Sequence, residues 1–94
     1  MKVGLLTLSY RLYGIRSIKE RRSLVRRLIA DVHGEGPAFA VCEVDANAGL
    51  QRATVRVAHV SEDAERTAAA LARVKSKLER GNGYEAIDAI TEIL

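Results

Sequence analysis

The alternation that decides the fold lies in residues 3–13, which read VGLLTLSYRLY. Successive side chains of a β-strand point to opposite faces of the sheet. One face of this stretch is therefore apolar and carries Leu6, Leu8, Tyr10 and Leu12. The other face is mixed and carries Val3, Leu5, Thr7, Ser9 and Arg11. We predict a first strand whose apolar face belongs to the core.

The segment after this strand predicts an amphipathic helix. Gly14 interrupts the strand pattern, and Ser17 with Glu20 three residues later matches a capping box, so we expect the helix to begin there and run to about His33. The cluster Gly34-Glu35-Gly36-Pro37 ends it. Five apolar residues are predicted to face the core: Ile18, Val25, Leu28, Ile29 and Val32.

The remaining residues predict a hairpin, a second helix and a final strand. Residues 38–45 and 51–60 are rich in β-formers and are joined by a short loop at 45–49, and Ala53, Val55 and Val57 share one face of the second of these strands. We expect Ser61 to cap a helix that ends at Gly81, with an inward stripe of Ala64, Ala68, Leu71, Ala72 and Leu78. Residues 84–94 form the last strand, with one face made of Ile87, Ala89, Thr91 and Ile93.

The predicted order βαββαβ sets the fold class. With short connections and right-handed crossovers, this order folds into a four-stranded antiparallel sheet with both helices on one face. That arrangement is the ferredoxin-like α+β sandwich. The 94 residues suffice for one such domain, spanning 1–94, and leave no room for a second core.

The positive charge is concentrated in the first third of the chain. The net charge is +3, but residues 1–34 carry eight Lys or Arg against two acidic residues, whereas residues 35–94 carry seven against ten. A local excess of this kind favours an anionic partner at one surface. No segment has the pattern of a signal peptide or a membrane span, and the lone Cys42 cannot form an internal disulfide, so we expect a cytoplasmic protein.

The first helix supplies the candidate binding surface. Lys19, Arg22 and Arg26 recur at i, i+3 and i+7, which places them on one helical stripe, and Arg16 stands at its start. Such a stripe could contact the phosphates of RNA or of a ribosomal component. An RNA reader that uses the sheet face would need aromatic side chains on its central strands, and the third strand instead offers Arg52, Thr54 and Arg56.

The loop before this helix offers a second, smaller anion site. Gly14, Arg16 and Ser17 bring together a glycine, a guanidinium and the amides of a helix N-terminus. An enzyme of the acylphosphatase kind binds phosphate at the same place, but the Gly-Val-Gln-Gly-Val run and the strand-three asparagine of that family are missing here. An acylphosphatase-like enzyme is therefore the less favoured alternative. We predict that this loop binds an anion, and we predict no catalytic residue and no cofactor. His33 and His59 lie far apart in sequence, so no metal site is predicted.

The second face of the sheet has no predicted layer to cover it. We expect it to expose a mainly apolar patch beside several charges, made of Val3, Leu5, Thr7, Phe39, Val41, Ile90 and Leu94. Exposed apolar area of this kind marks an interface, so the sequence predicts a homodimer that packs sheet to sheet or edge to edge. The alternative function is therefore a dimeric ligand-sensing or protein-interaction module.

Three short motifs and the C-terminus together resemble the YlxP-like family of small bacterial proteins. These motifs are Ser17-Ile18-Lys19-Glu20-Arg21-Arg22, Glu43-Val44-Asp45 and Gln51-Arg52-Ala53-Thr54, followed by a strand that ends at Ile93-Leu94. The resemblance implies a cytoplasmic ferredoxin-like domain of unassigned biochemical function, often encoded near transcription and ribosome-maturation factors. Leu50 stands where that family often has an aromatic residue.

Overall fold

The computed structural model describes residues 1–46 and 49–94, so the predicted loop at 45–49 lies partly outside the described residues. The described part forms seven elements: β1 Lys2–Leu12, α1 Ile18–His33, β2 Phe39–Val44, β3 Arg52–Ser61, α2 Ala64–Lys77, β4 Arg80–Gly81 and β5 Tyr84–Ile93. The strands pair antiparallel in the order β2-β3-β1-β5-β4. The protein is therefore α+β.

The central strand β1 supplies the middle of the core. Leu6, Leu8, Tyr10 and Leu12 are at most 1% exposed, which confirms the predicted inward face. Their β3 neighbours Ala53, Val55 and Val57 are equally buried, as predicted. Both helices pack on this same face, because their buried residues belong to one hydrophobic cluster with β1 and β3. Each buried aliphatic side chain stabilises the fold by about 2 kcal/mol.

The sheet has five strands rather than the four predicted, because α2 ends earlier than expected. The prediction let the helix run to Gly81, whereas it stops at Lys77. Tyr10 donates its hydroxyl to the Leu78 carbonyl at 2.7 Å, and the Ala86 N–H donates to the Glu79 carbonyl at 2.7 Å. In a longer helix the Leu78 and Glu79 carbonyls would accept from N–H groups four residues later, but here they accept from distant donors instead. The helix therefore ends, and residues 80–81 form the short strand β4 paired with β5.

The inward side of α1 differs from the predicted one by a small rotation. Arg21, Leu24, Val25, Leu28 and Val32 are the buried residues. Ile18 is 62% exposed and Ile29 is only half-buried. The stripe thus follows the positions i, i+4, i+7 and i+11 from Arg21.

The start and the inward stripe of the second helix were predicted only in part, since Leu71 and Leu78 are buried as predicted. Its N-cap is Asp63, whose carboxylate accepts from the Glu65 N–H, because Ser61 still belongs to β3. Its buried residues are Thr67, Ala70, Leu71 and Val74, whereas the predicted Ala68 and Ala72 are exposed. Alanine is small enough for either side of a helix, so an alanine-rich segment leaves the inward stripe undecided.

A β-bulge displaces one residue of β5 from its predicted face. The register against β1 shifts between Ser9 and Tyr10, because Ser9 pairs with Asp88 and Tyr10 pairs with Ala86. Ile87 therefore has no partner residue on β1 and is 49% exposed. Ala89 and Thr91 pair with Leu8 and Leu6 on the helix side, as predicted.

The sheet face opposite the helices, here called the open sheet face, is formed by alternate residues of four strands. Phe39 and Val41 were predicted on it, but they pair with His59 and Val57 on the helix side. A register change of one residue turns every side chain of a strand to the other face. The open sheet face therefore carries Ala40, Cys42 and Val44 of β2, beside Arg52, Thr54, Arg56, Ala58 and Val60 of β3, Val3, Leu5, Thr7, Ser9 and Arg11 of β1, and Glu85, Asp88, Ile90 and Glu92 of β5.

Candidate nucleic-acid interface

The basic stripe consists of Lys19, Arg22 and Arg26, with Arg16 at its N-terminal end. All four residues are exposed. At about 100° per residue, the three helical members point away from the buried side that contains Leu24 and Leu28. Within the described part of the chain, none of the four side chains makes a hydrogen bond or an ion pair. The stripe therefore presents its charge to solvent.

The acidic residues of α1 do not neutralise the stripe. Glu20 and Asp31 lie on a flank of the helix, roughly 100° or more from the line through Lys19 and Arg26. The Glu20 carboxylate accepts from the Ser17 hydroxyl at 3.4 Å. The local field over the stripe therefore stays positive.

Arg21 has a different role from its neighbours, because it is buried and its Nε and Nη2 both donate hydrogen bonds. Its Nε donates to the Gly49 and Arg52 carbonyls at 3.0 and 3.2 Å. Its Nη2 donates to the Arg52 carbonyl at 2.9 Å and forms an ion pair with Glu43 at 2.6 Å. The pair ties the first turn of α1 to β2 and β3 and fixes the direction of the basic stripe.

Glu43 reaches Arg21 because it lies on the helix side of the sheet, whereas Arg52 and Arg56 of β3 lie on the open sheet face. Sequence reasoning did not find the buried role of Arg21. The spacing of Arg21 with Val25, Leu28 and Val32 was the signal that could have shown it.

A shallow groove of about 500 Å³ runs beside the stripe, between α1 and the turn before β5. Arg27 closes one side, where its Nη2 donates to the Asn82 carbonyl at 3.0 Å. Lys19 and Tyr13 line the groove. Tyr13 is 49% exposed, and its hydroxyl donates to the Glu85 carboxylate at 3.1 Å. The groove therefore places an aromatic ring near Lys19, with the Glu20 side chain also in its lining.

The loop at Gly14, Arg16 and Ser17 is partly committed to capping α1. Gly14 has φ of +72°, a conformation that favours glycine, and Arg16 is exposed. The Ser17 hydroxyl accepts from the Glu20 N–H at 3.1 Å, which is one half of the predicted capping box. The Glu20 carboxylate therefore lies close to the amides that an anion would use. Arg16 is the cationic side chain that could bind an anion at this end of α1.

Candidate catalytic and metal-binding groups are dispersed. Cys42 is exposed on the open sheet face, whereas His59 is buried on the helix side, so these two residues cannot work as nucleophile and base. Among residues 1–46 and 49–94, no three His, Cys, Asp or Glu side chains are grouped closely enough to hold a metal ion. No helix in the described ranges has the length and apolar content needed to cross a membrane.

The architecture and the exposed stripe define a small α+β domain with a cationic first helix. The chain belongs to the DUF503 family, described as a protein of unknown function, whose model matches residues 3–91. The finer resemblance to the YlxP-like family stays a prediction. No curated protein matches the chain.

Solved structures support the fold alone. The de novo designed protein Foldit4 is 14% identical, with a TM-score of 0.57 over 100% of this chain and 97% of its own. A structure named provisionally as a chlorite dismutase is 16% identical, with a TM-score of 0.58 over 99% of this chain and 44% of its own. A structural-genomics protein, YJCS, is 8% identical, with a TM-score of 0.50 over 96% of both chains. At these identities the matches carry no function across.

Proposed function

We propose that this protein is a cytoplasmic, non-enzymatic RNA-binding module, and that it contacts RNA phosphates through the basic stripe. The observation that carries the proposal is the exposure of Arg16, Lys19, Arg22 and Arg26 with no counter-ion among the described residues. A ribosomal RNA is the partner that the family resemblance suggests. The lone Cys42 supports the compartment, because a chain without disulfides suits a reducing environment.

The geometry of α1 suits a phosphate backbone. The three helical cations span about two turns, or roughly 10 Å, at 1.5 Å per residue. Their side chains are flexible and solvated, so they can follow phosphates without fixing a base sequence. Binding through such a stripe is therefore expected to depend strongly on salt and weakly on sequence.

Tyr13 supports RNA over other polyanions. Its ring lies at the groove beside Lys19, and single-stranded RNA is recognised by stacking its bases on aromatic rings next to cations. A polysaccharide polyanion has no base to stack. The proposal therefore assigns phosphate contacts to the basic stripe and one base contact to Tyr13.

Fluorescence anisotropy with a labelled single-stranded ribosomal RNA fragment, and with heparin as competitor, tests both assignments. Changing Lys19, Arg22 and Arg26 together to Ala should weaken binding of both polyanions. Tyr13→Ala should weaken RNA binding by about tenfold, equivalent to roughly 1.4 kcal/mol, and leave heparin binding unchanged, because stacking contributes about 1–3 kcal/mol per base.

A matched control is available on α2. Arg66, Arg73 and Lys75 are exposed there, so their triple change to Ala removes the same charge from another surface. The control should bind like the parent. If the α1 triple variant binds as well as the parent, α1 is not the binding surface. If the parent binds neither polyanion below about 0.2 M salt, the RNA proposal is wrong.

A further inference from the structure

The open sheet face has a contiguous apolar end. Val3 pairs with Val60 of β3, and the Leu94 N–H donates to the Val3 carbonyl at 2.8 Å, so these three residues stand side by side. Val60 is 41% exposed and Leu94 is 66% exposed, and Ile90 on the same face is 54% exposed. An apolar group of this kind on a small protein marks an interaction surface.

The charges of the same face are separated by strand. On one side of β1, strand β3 contributes Arg52 and Arg56. On the other side, β5 contributes Asp88 and Glu92. All four residues are exposed. The face is therefore basic on one side of its central strand and acidic on the other, and the central strand itself carries Arg11, level with Glu85 of β5.

We propose that this face binds a second copy of the chain, sheet against sheet, about a two-fold axis parallel to β1. Such an axis lays β3 of one protomer over β5 of its partner, so Arg52 and Arg56 face acidic side chains. The apolar end meets its own copy, with Val3 near the partner's Val3. The surface is therefore self-complementary, as a two-fold interface requires.

The register selects this axis over the perpendicular one. Arg56 stands level with Thr7, halfway along the face, and the paired residues place it between the levels of Asp88 and Glu92. An axis perpendicular to the strands would lay β3 over β3 and bring Arg56 against its own copy. Like charges in contact oppose binding, whereas the parallel axis sets Arg56 between two carboxylates. On the parallel axis Arg11 of β1 meets its own copy, and Glu85 of β5 stands level with it.

Arg56 is already positioned for this contact. Its Nε donates to the Thr7 hydroxyl at 3.1 Å, so the side chain is held on the open sheet face, and its remaining N–H groups have no partner among the described residues. An arginine that is held in place loses less side-chain entropy when it binds.

The area and the sheet edges also favour this mode of association. Three strands of ten or eleven residues and one of six, spaced about 4.8 Å apart, offer a face of roughly 600 Å² per copy. The total, about 1,200 Å², is at the lower end of stable interfaces. Edge-to-edge pairing is less suitable, because β2 has only six residues and β5 contains the bulge at Ile87.

Sedimentation equilibrium of the whole chain tests the proposal. The parent should sediment at twice the 10.3 kDa chain mass. Arg56→Glu and, separately, Val60→Asp should weaken the dimer by at least about tenfold, which is about 1.4 kcal/mol. Combining Arg56→Glu with Asp88→Arg and Glu92→Arg should restore it, because the charges are exchanged on both sides of the axis.

Arg66→Glu on α2 is the matched control and should leave the dimer intact, and circular dichroism should show that every variant is folded. A parent that is monomeric throughout the micromolar range overturns the proposal. A dimer that survives both Arg56→Glu and Val60→Asp also overturns it, because another surface must then join the copies. RNA binding does not enter this test, since the basic stripe lies on the other side of the sheet.

Discussion

Arg21 and Glu43 form a partly buried ion pair at the base of α1. Their side chains are 9% and 20% exposed, and the Arg21 guanidinium also donates to two main-chain carbonyls. Burying two charges costs desolvation energy, so the intact pair adds little net stability. Losing one partner is costly, because the other charge stays buried alone.

Arg21→Ala should lower the free energy of unfolding by about 3 kcal/mol for this reason. Arg21→Lys should lower it by about 1–2 kcal/mol, because an ammonium group cannot reproduce the donors at both Nε and Nη2. Urea denaturation measures both values. Arg22→Ala is the control and should stay within about 0.5 kcal/mol of the parent, since Arg22 is exposed. An unchanged midpoint for Arg21→Ala would mean that the pair does not anchor α1.

His59 lies in a buried polar cluster between β3 and α2. Its Nδ1 is 3.1 Å from the Thr67 hydroxyl, which is 2.6 Å from the Ser61 hydroxyl. The Ser61 hydroxyl donates its single hydrogen bond to the Asp63 carbonyl, so in its contact with Thr67 it must accept. The Thr67 hydroxyl is therefore the donor to Ser61. It then has no hydrogen left for His59, so His59 Nδ1–H is the donor to Thr67. Burial, and then the nearby Arg73 cation, lower the pKa of His59.

Stability should therefore fall as the pH is lowered through the ordinary histidine pKa of about 6.5. His59 of the unfolded chain takes up its proton near pH 6.5, whereas His59 of the folded chain does so only at lower pH. The neutral histidine therefore favours the folded state fully above about pH 6.5, and this stabilisation is lost progressively as the pH falls below that value. His59→Gln should flatten this part of a plot of unfolding free energy against pH. A plot with the same slope in parent and variant would show that another group causes the change.

At the scale of elements, the sequence predicted what depends on local pattern and missed what depends on distant partners. The alternation of β1 and β3 was sufficient to define the core face, because side-chain parity is a local property. The end of α2 was not predictable, since it depends on the bond from Tyr10 to the Leu78 carbonyl. The basic stripe was evident from spacing, whereas the burial of Arg21 depends on carbonyls at Gly49 and Arg52.

Tyr10→Phe tests this account of the end of α2. Burial raises the pKa of the Tyr10 hydroxyl above its ordinary value, so it remains a donor at any physiological pH. Its loss leaves the Leu78 carbonyl without that bond and should lower the free energy of unfolding by about 1–2 kcal/mol. Faster amide hydrogen exchange should be confined to the last turn of α2 and to β4. Uniform exchange changes would contradict this role.

Gly4 shows why α2 can lie close to β1. A Cβ atom at this position would come within 2.5 Å of the Thr67 Cγ2 and 2.7 Å of the Leu71 Cδ1. The sequence pattern of β1 gives no sign of this constraint, because it arises only when the helix packs on the strand. The close approach brings Thr67 within reach of His59 and so permits the buried polar cluster.

At the scale of the molecule, the two proposed surfaces lie on opposite sides of the sheet. The basic stripe faces outward from the helix layer, and the open sheet face is on the other side. A sheet-to-sheet dimer would place two α1 helices on its outer surfaces, with axes about 30 Å apart. Two stripes at that distance could bind separate segments of one RNA, and avidity would then raise the affinity of the dimer.

The salt dependence of RNA binding tests the central claim most directly. Four phosphate contacts on single-stranded RNA predict a slope of about −3 for log Kobs against log[salt], at roughly −0.7 per contact. The variant with Lys19, Arg22 and Arg26 changed to Ala should have a slope near −1. The α2 control, with Arg66, Arg73 and Lys75 changed to Ala, should keep the parent slope. Equal slopes for the parent and the α1 variant would contradict binding through the basic stripe.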